Sequence, residues 1–180
     1  GTNWTSRTSG VTNQLKAITY GNSTFVATGE SGTILTSTDG MSWTSRTSGS
    51  SSLLEGITHD GVGLFVVVGS GPILTSSDNG TTWTTRDVIN NHLYSVTHGN
   101  NTFLVVGPSG VILTSTDGTT WDNRTSGTTR HYYGVTFGNN TFVAVGTNDP
   151  NGSIIRSTDN GTTWEKVTSP TENTFYAVTF

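Results

Sequence analysis

Five tryptophans divide the chain at nearly regular intervals, and this spacing limits the available folds more than any other feature. Successive tryptophans lie 39, 40, 38 and 43 residues apart, and the chain contains no others. They are Trp4, Trp43, Trp83, Trp121 and Trp164. Repeats of about 40 residues are typical of solenoid units and propeller blades, which stack on one another to bury a common core. The spacing therefore predicts a tandem array of about four units.

Each unit contains four short runs rich in Val, Ile, Thr and aromatic residues, separated by Gly, Asn, Asp and Ser. Such runs are typical of strands, and such separators are typical of tight turns. The first turn contains Gly-Asn in three units, at Gly21-Asn22, Gly99-Asn100 and Gly138-Asn139, which favours a hairpin with positive φ. No helical period is present. Four antiparallel strands per unit predict an all-β fold, a β-propeller of four-stranded blades, with a solenoid as the competing architecture.

The third turn of each unit has a recurring sequence that ends in the tryptophan. Residues 76–83 and 157–164 follow the pattern Ser-x-Asp-x-Gly-x-Thr-Trp, and residues 37–43 and 115–121 follow it with one residue fewer. An aspartate here can accept backbone N–H groups of its own turn, while the glycine adopts a φ that other residues resist. The indole can pack between neighbouring sheets. The pattern resembles the Asp box of BNR-type propellers.

In families with this box the motif is a folding element, so the resemblance implies a structural role for its residues. They are Asp39, Trp43, Asp78, Trp83, Asp117, Trp121, Asp159 and Trp164. Calcium binding by the four carboxylates is the alternative. The segments 18–22, 24–27 and 34–40 extend the resemblance over the whole chain, to propeller arrays related to photosystem II assembly factors in bacterial surface and phage proteins.

Sialidases share the box but add an arginine triad, an acidic general acid and a tyrosine nucleophile with a glutamate partner. No Arg-Ile-Pro segment precedes the first box here. The arginines that follow tryptophans by three residues are Arg7, Arg46, Arg86 and Arg124. A residue repeated in every blade cannot converge on one substrate, so these are interpreted as blade-surface charges. We therefore expect no enzymatic activity, and a sialidase-like glycoside hydrolase relative is the least favoured alternative.

The repeat predicts one propeller domain or propeller segment over residues 1–180. Complete blades are expected at about 14–48, 53–87, 92–126 and 131–168. An unpaired outer strand is expected at 3–8 and an unpaired inner strand at 175–180, the latter aligned with 15–20. Four blades and two lone strands do not complete a fifth blade. The chain is then a segment of a longer propeller, a distorted closed ring, or a unit that self-associates through its unpaired end strands.

The composition of the chain argues against several classes of binding partner. The net charge is −4 and only 11% of residues are charged, which argues against nucleic acid, and no apolar run is long enough for membrane insertion. The chain has no cysteine, so thiolate metal sites and disulfides are excluded, and neither a metal site nor a cofactor is predicted. Abundant Ser, Thr, Asn and Gly with scarce lysine favour an extracellular, cell-surface or virion-surface location.

Positions that vary while the frame stays constant are the candidates for function. The second residue of each inner strand is Lys16, Glu55, Tyr94, Tyr133 or Tyr176. Aromatic and hydrogen-bonding residues concentrate on the third and fourth inner strands, at Asn91, His92, Tyr94, Arg130, His131 and Tyr133. Such side chains provide stacking faces and donors at low entropic cost, although tyrosines packing between blades would give the same pattern. The longest loop, 147–152, which carries Asp149 and Pro150, is a second candidate contact.

These observations favour a non-enzymatic scaffold that recognises protein or glycan through its loop face. A structural repeat unit that assembles into a larger ring, fibre or coat is the alternative. Fold alone does not decide between them.

Overall fold

The computed structural model of the chain describes residues 2–86, 92–147, 154–169 and 171–180. These residues form four antiparallel sheets of four strands, and each sheet is built from strands that follow one another in sequence. The sheets are numbered as blades 1 to 4 in chain order. The predicted fold class, an all-β propeller of four-stranded antiparallel blades, is confirmed.

The strand bounds follow the repeat. Blade 1 contains β1 (Leu15–Gly21), β2 (Thr24–Gly29), β3 (Ile34–Ser37) and β4 (Thr44–Arg46). Blade 2 contains β5 (Leu54–His59), β6 (Phe65–Gly69), β7 (Leu74–Ser76) and β8 (Thr84–Thr85). Blade 3 contains β9 (Ser95–Gly99), β10 (Thr102–Val106), β11 (Val111–Ser115) and β12 (Asp122–Thr125). Blade 4 contains β13 (Tyr132–Gly138), β14 (Thr141–Gly146), β15 (Ile154–Ser157) and β16 (Glu165–Val167).

Among the described residues, helix is confined to two short 3-10 segments, Glu30–Gly32 and Pro108–Gly110, which join the second and third strands of blades 1 and 3. In the described part of the chain, no helix has the length and apolar character needed to cross a bilayer.

The core lies between consecutive blades rather than inside one sheet. Side chains alternate across a strand, so each β-branched run presents one set of residues to the preceding blade and another to the following blade. Val26 and Ile34 of blade 1, for example, pack against Leu54, Ile57 and Phe65 of blade 2. Equivalent clusters join blades 2 and 3 and blades 3 and 4. The first strands β1, β5, β9 and β13 contact one another in order and form the inner edge of the array.

The first turn has the positive-φ hairpin that its Gly-Asn sequence predicts, and its glycine has a further role. In blade 1 the positive φ angles belong to Asn22 (48°) and Ser23 (60°), which gives the type I′ hairpin, while Gly21 closes β1. A Cβ on Gly21 would lie 2.2 Å from the ring of His59. Gly99 and Gly138 receive the rings of Phe137 and Phe180 in the same way. Glycine is needed here because an aromatic ring of the next unit packs directly on the backbone.

The two predicted end strands are not part of any sheet. Residues 3–8 are exposed and have no ladder partner. Residues 175–180 also lack a ladder, but they lie along β13 as an inner strand would. The Phe175 N–H donates to the Gly146 carbonyl at 3.0 Å, as the Leu93 N–H donates to Gly69 at 2.9 Å one junction earlier. The C-terminal segment therefore repeats an interblade contact without forming a sheet of its own.

Candidate binding site on the inner edge of the blades

A β-bulge opens the inner strand of blades 1, 2 and 4. In blade 1 Leu15 pairs with Gly29 and Ala17 with Thr28, so Lys16 has no partner opposite it. Glu55 and Tyr133 occupy the same bulged position in blades 2 and 4. Bulges re-aim a side chain and interrupt pairing. In these three blades the backbone therefore turns a position that varies between units away from the sheet.

Aromatic rings at this position form a continuous line from blade 3 to the C-terminal segment. The ring centroids of Tyr94 and Tyr133 are 5.1 Å apart, and those of Tyr133 and Tyr176 are 5.2 Å apart. His92 adds a ring 5.0 Å from Tyr94, and His131 lies parallel to Tyr133 at 6.3 Å. These separations lie in or close to the range for aromatic pairs. We call the five rings the ring ladder.

The structure thus brings together four of the six candidate residues, namely His92, Tyr94, His131 and Tyr133. Arg130 lines a separate polar hollow on the outer side of blades 3 and 4. Asn91 lies outside the described residues, as do residues 148–152 of the second candidate loop. Sequence reasoning noted Tyr176 in the series but left it out of the site. Its ring is the exposed end of the ladder, with 73% of its surface accessible.

Glu55 of blade 2 forms a hydrogen bond with the ring ladder. Its Oε1 lies 3.2 Å from His92 Nε2, a hydrogen bond that holds the imidazole beside Tyr94. Burial raises the pKa of Tyr94, and the nearby Tyr133 and Glu55 raise it further. The Tyr94 hydroxyl therefore remains protonated at neutral pH and can donate a hydrogen bond. Glu55 therefore places a carboxylate at this end of the ladder.

His131 carries an unused polar atom within the site. Its Nδ1 is buried and has no hydrogen-bond partner among the described residues. Unsatisfied buried polar atoms cost free energy, so this atom lowers the stability of the folded chain. The backbone of His131 is fixed on both sides, because its N–H and carbonyl bond to the Thr147 hydroxyl and N–H. The backbone that carries the His131 ring is therefore held in place by hydrogen bonds to Thr147.

The Ser-x-Asp turns of the blades are stabilised by hydrogen bonds to their own aspartates. Asp78 Oδ1 accepts hydrogen bonds from the Thr82 N–H (2.9 Å) and the Ser76 hydroxyl (2.8 Å), and Oδ2 accepts the Thr82 hydroxyl (2.6 Å). The Thr82 hydroxyl is the main cause of a pKa lowered to about 2. The one-residue-shorter turn of blade 1 uses Asp39 differently. Its Oδ1 accepts the N–H groups of Met41 and Ser42, both at 2.8 Å.

The length of this turn also determines whether the indole N–H of the tryptophan has a hydrogen-bond partner. In the two longer turns the indole N–H of Trp83 and of Trp164 donates to a glycine carbonyl at 3.0 Å. In the shorter turn of blade 3, Trp121 Nε1 is buried without a partner among the described residues. The shorter turn lacks the residue that would bring a carbonyl under the indole.

The repeated arginines also form hydrogen bonds within their own blades. Arg46, Arg86 and Arg124 each donate from Nε to a threonine hydroxyl of the third strand of their own blade, at 2.8 Å in all three cases.

The four turn carboxylates bond to their own turns, and no group of three or more His, Asp or Glu in the described ranges is arranged to hold a metal. His59 packs on Gly21 and contacts Phe65, and burial is the main cause that lowers the pKa of His98.

The comparisons with known proteins agree with this architecture. Solved structures of YCF48 bound to a D1 peptide and of YCF48 from Cyanidioschyzon merolae match 94% and 92% of the chain, at 17% identity and TM-scores of 0.72 and 0.67. Virginiamycin B lyase from Staphylococcus aureus matches 88% at 18% identity, with a TM-score of 0.75. At these identities the likeness shows the fold alone.

The chain spans only 57%, 59% and 57% of those three structures, respectively. The search of curated proteins finds no match. A family model, the DUF6242 beta propeller domain, matches residues 1–93, which is more than half of the 180-residue chain. The matched part covers blades 1 and 2 and reaches the start of the ring ladder at His92. Four packed four-stranded sheets and this match together lead to one conclusion: the chain belongs to the DUF6242 beta propeller domain family.

Proposed function

We propose that this chain is a non-enzymatic binding module that recognises a segment of another protein through the ring ladder. The ladder itself is the observation that carries the proposal. This position of the inner strand holds Lys16 and Glu55 in blades 1 and 2, whereas from blade 3 onward it holds Tyr94, Tyr133 and Tyr176. The same position of the repeat thus presents charge in one half of the array and aromatic surface in the other.

The physical properties of the ladder suit recognition of a polypeptide. Tyrosine gives large contact area with few rotatable bonds, and its hydroxyl adds a hydrogen bond. The rings are already packed on one another, so little conformational entropy remains to be lost on binding. The protonated hydroxyl of Tyr94 supplies a hydrogen-bond donor beside the rings. One structural neighbour, YCF48, was solved with a D1 peptide, which supports a peptide as the class of ligand to test first.

The proposal includes three further parts. The Ser-x-Asp turns are Asp boxes of the BNR type, supported by the carboxylate bonds within each turn. The chain catalyses no reaction, supported by the commitment of those carboxylates and of the repeated arginines to the frame. It acts at an extracellular, cell or virion surface, supported by its composition. Assay of the purified protein on sialosides tests the second part, and cell fractionation tests the third.

The test of the ladder is a binding screen with matched variants. A peptide-display library selects binders of the wild-type protein, and the affinity of the best peptide is then measured for Tyr133→Ala and Tyr20→Ala. Tyr20 is also an exposed tyrosine on an inner strand, but it lies outside the ladder. Loss of a central aromatic contact should weaken binding by about tenfold or more, and Tyr20→Ala should leave it unchanged. Equal effects of the two variants, or a glycan array that yields ligands where peptides yield none, would sink the peptide proposal.

A second candidate function, assembly with further copies, is favoured by the open face of blade 1. Ile18 is 60% exposed, whereas the equivalent Ile57 of blade 2 is 8% exposed. Leu15, Ile18 and Trp43 line a mainly apolar hollow of about 320 Å³ on this face. Sedimentation velocity of the wild type and of Ile18→Asp tests it. A concentration-dependent oligomer that Ile18→Asp abolishes supports assembly, and a wild type that remains monomeric at high concentration rejects it.

A further inference from the structure

A carboxylate lies at one end of the ring ladder, and half of it is unused. Glu55 Oε1 accepts a hydrogen bond from His92 Nε2 at 3.2 Å, because an ionised carboxylate can only accept. The second oxygen, Oε2, has no hydrogen-bond partner among the described residues. The Glu55 side chain is 24% exposed and that of His92 is 40% exposed. A ligand can therefore reach a carboxylate oxygen at this end of the ladder.

The charge of Glu55 is not matched by a lysine or arginine of the chain. Within the described ranges its ion-pair contact is with His92, and none of the lysines or arginines pairs with it. His92 can donate from Nε2 as a neutral ring, so this contact needs no second charge. Lys16 occupies the equivalent position one blade earlier, but it lines the apolar hollow on the open face of blade 1. Glu55 is thus available to a cation from another molecule.

The Tyr94 hydroxyl belongs to the same end of the ladder. After burial and the neighbouring Tyr133, the charge of Glu55 is a further cause of the raised pKa of Tyr94, so the two groups are close enough to interact. The Tyr94 ring already has His92 at 5.0 Å and Tyr133 at 5.1 Å. A cation here would therefore be held by oxygen atoms, those of the carboxylate and of the hydroxyl, more than by the face of a ring.

The opposite end of the ladder is aromatic and open. Tyr176 stacks on Tyr133 at a centroid distance of 5.2 Å, and 73% of its surface is accessible. An aromatic or large apolar side chain would bury this open ring surface. The ring spacings put at most about 10 Å between the ring centres of Tyr94 and Tyr176, which an extended chain covers in about three residues. One short peptide can therefore contact both ends.

We propose that the ring ladder selects a peptide segment with a lysine or arginine and, roughly two to four positions away, an aromatic or large apolar residue. The basic side chain pairs with Glu55, and the apolar side chain packs on Tyr176. The ladder takes this ligand only if it binds peptides at all, so this inference rests on the function proposed above. Opposite charges across an interface contribute mainly to the choice of partner, and the net charge of −4 favours the approach of a basic segment.

The test is a peptide-display selection repeated on charge variants of one residue. Glu55→Gln keeps an oxygen that can accept from His92 but removes the charge. Peptides selected by the wild type should be enriched in lysine and arginine over the unselected library. Their affinity for Glu55→Gln, measured by fluorescence anisotropy, should fall roughly fivefold.

A charge reversal gives a readout that a merely structural role of Glu55 would not produce. Selection on Glu55→Lys should enrich aspartate and glutamate in place of lysine and arginine, because the new cation repels the old ligands. The matched control is Glu165→Lys, which reverses the same charge on the exposed outer strand of blade 4. It should select the same peptides as the wild type. Thermal melting of each variant checks that folding is intact, and Glu55→Gln carries the test if Glu55→Lys does not fold.

The outcomes separate this inference from the function on which it rests. Peptides that lose affinity for Tyr133→Ala but carry no basic residue would overturn the inference and leave peptide binding by the ladder intact. Selection of no peptide by the wild type would overturn both. Equal shifts in Glu55→Lys and Glu165→Lys would mean that an acidic protein attracts basic peptides without a site, which also overturns the inference.

Discussion

Blades 1 and 2 follow the same repeat, yet equivalent positions have different surroundings in the two. Ile57 and Leu54 of blade 2 are 8% and 1% exposed, because blade 1 covers them. Their equivalents Ile18 and Leu15 are 60% and 40% exposed, because no described residues cover that face of blade 1. The difference shows that stability in this fold comes from the junctions, with each blade stabilised by its neighbour.

The strongest way to test this comparison is to delete the same side chain in both blades. Ile57→Ala removes buried methyl groups from the junction and should cost about 2–5 kcal/mol of unfolding free energy. Ile18→Ala should cost about 0.5 kcal/mol or less, because its side chain is mostly solvated. Urea denaturation of both variants, with unchanged m-values, measures the difference. A large loss for Ile18→Ala would mean that the face of blade 1 is covered in solution.

The turn glycines offer a second matched pair. Gly80 and Gly40 both have positive φ, 76° and 69°, so alanine at either position costs about 1–2 kcal/mol in backbone strain. A Cβ on Gly80 would also lie 3.0 Å from Thr36 Cγ2 of blade 1, whereas the nearest atom to a Cβ on Gly40 is 3.8 Å away. Gly80→Ala should therefore cost roughly 1–3 kcal/mol more than Gly40→Ala. Equal melting temperatures for the two variants would contradict the contact between blades.

Acid should affect the turns of both blades alike, since their hydrogen bonds are local. The pKa of Asp78 is lowered from 3.8 to about 2, chiefly by the Thr82 hydroxyl, and that of Asp39 to about 2, chiefly by the Ser42 N–H. A lowered pKa in the folded state gives a contribution that is complete above about pH 3.8 and is lost as the pH falls towards 2.

Melting temperatures measured across this range should fall with decreasing pH. The fall should be shallower, to a similar degree, in Asp39→Asn and in Asp78→Asn. A response confined to Asp78 would show that the neighbouring blade, and not the turn, sets the pKa.

The smallest expected effect comes from the length of the Ser-x-Asp turn, compared in two blades that each pack against a preceding blade. Blade 3 has the short turn of blade 1 but does have a preceding blade. Trp83→Phe removes the indole bond to the Gly80 carbonyl, whereas Trp121→Phe removes a buried N–H that has no partner among the described residues. Both lose similar ring area, so Trp83→Phe should cost roughly 1 kcal/mol more. Chemical denaturation measures this difference, and equal costs would indicate that Trp121 Nε1 has a water partner in solution.

Much of the frame could be predicted from the sequence because its signals are local. Alternating β-branched residues mark the strands, and Ser, Asp and Gly at fixed offsets mark the turns. The positive-φ hairpin at Gly21-Asn22 was predicted, but the contact between Gly21 and a ring of the next blade was not. That contact joins residues 38 positions apart, and nothing near Gly21 in the sequence indicates it.

The candidate site was predicted only in part. Aromatic residues at Tyr94 and Tyr133 were visible as departures from the repeat, but the bulge that turns the series outward was not. Arg130 was grouped with the ladder because it precedes His131, whereas it lines the separate polar hollow beside blades 3 and 4. Both residues precede β13, and their side chains enter different surroundings, so proximity in sequence does not give a shared site.

The sequence by itself determined the unit of this protein: its length, its four strands, its turn chemistry and the positions free to vary. Those features depend on contacts within about 40 residues, which the repeat displays several times over. Only the tertiary structure decided which variable positions meet. The ring ladder joins Tyr94 to Tyr176, and the polar hollow that Arg130 lines joins Ser109 to Lys166. Such sites arise where separate blades pack, and the geometry of that packing is set by side chains distant in the chain.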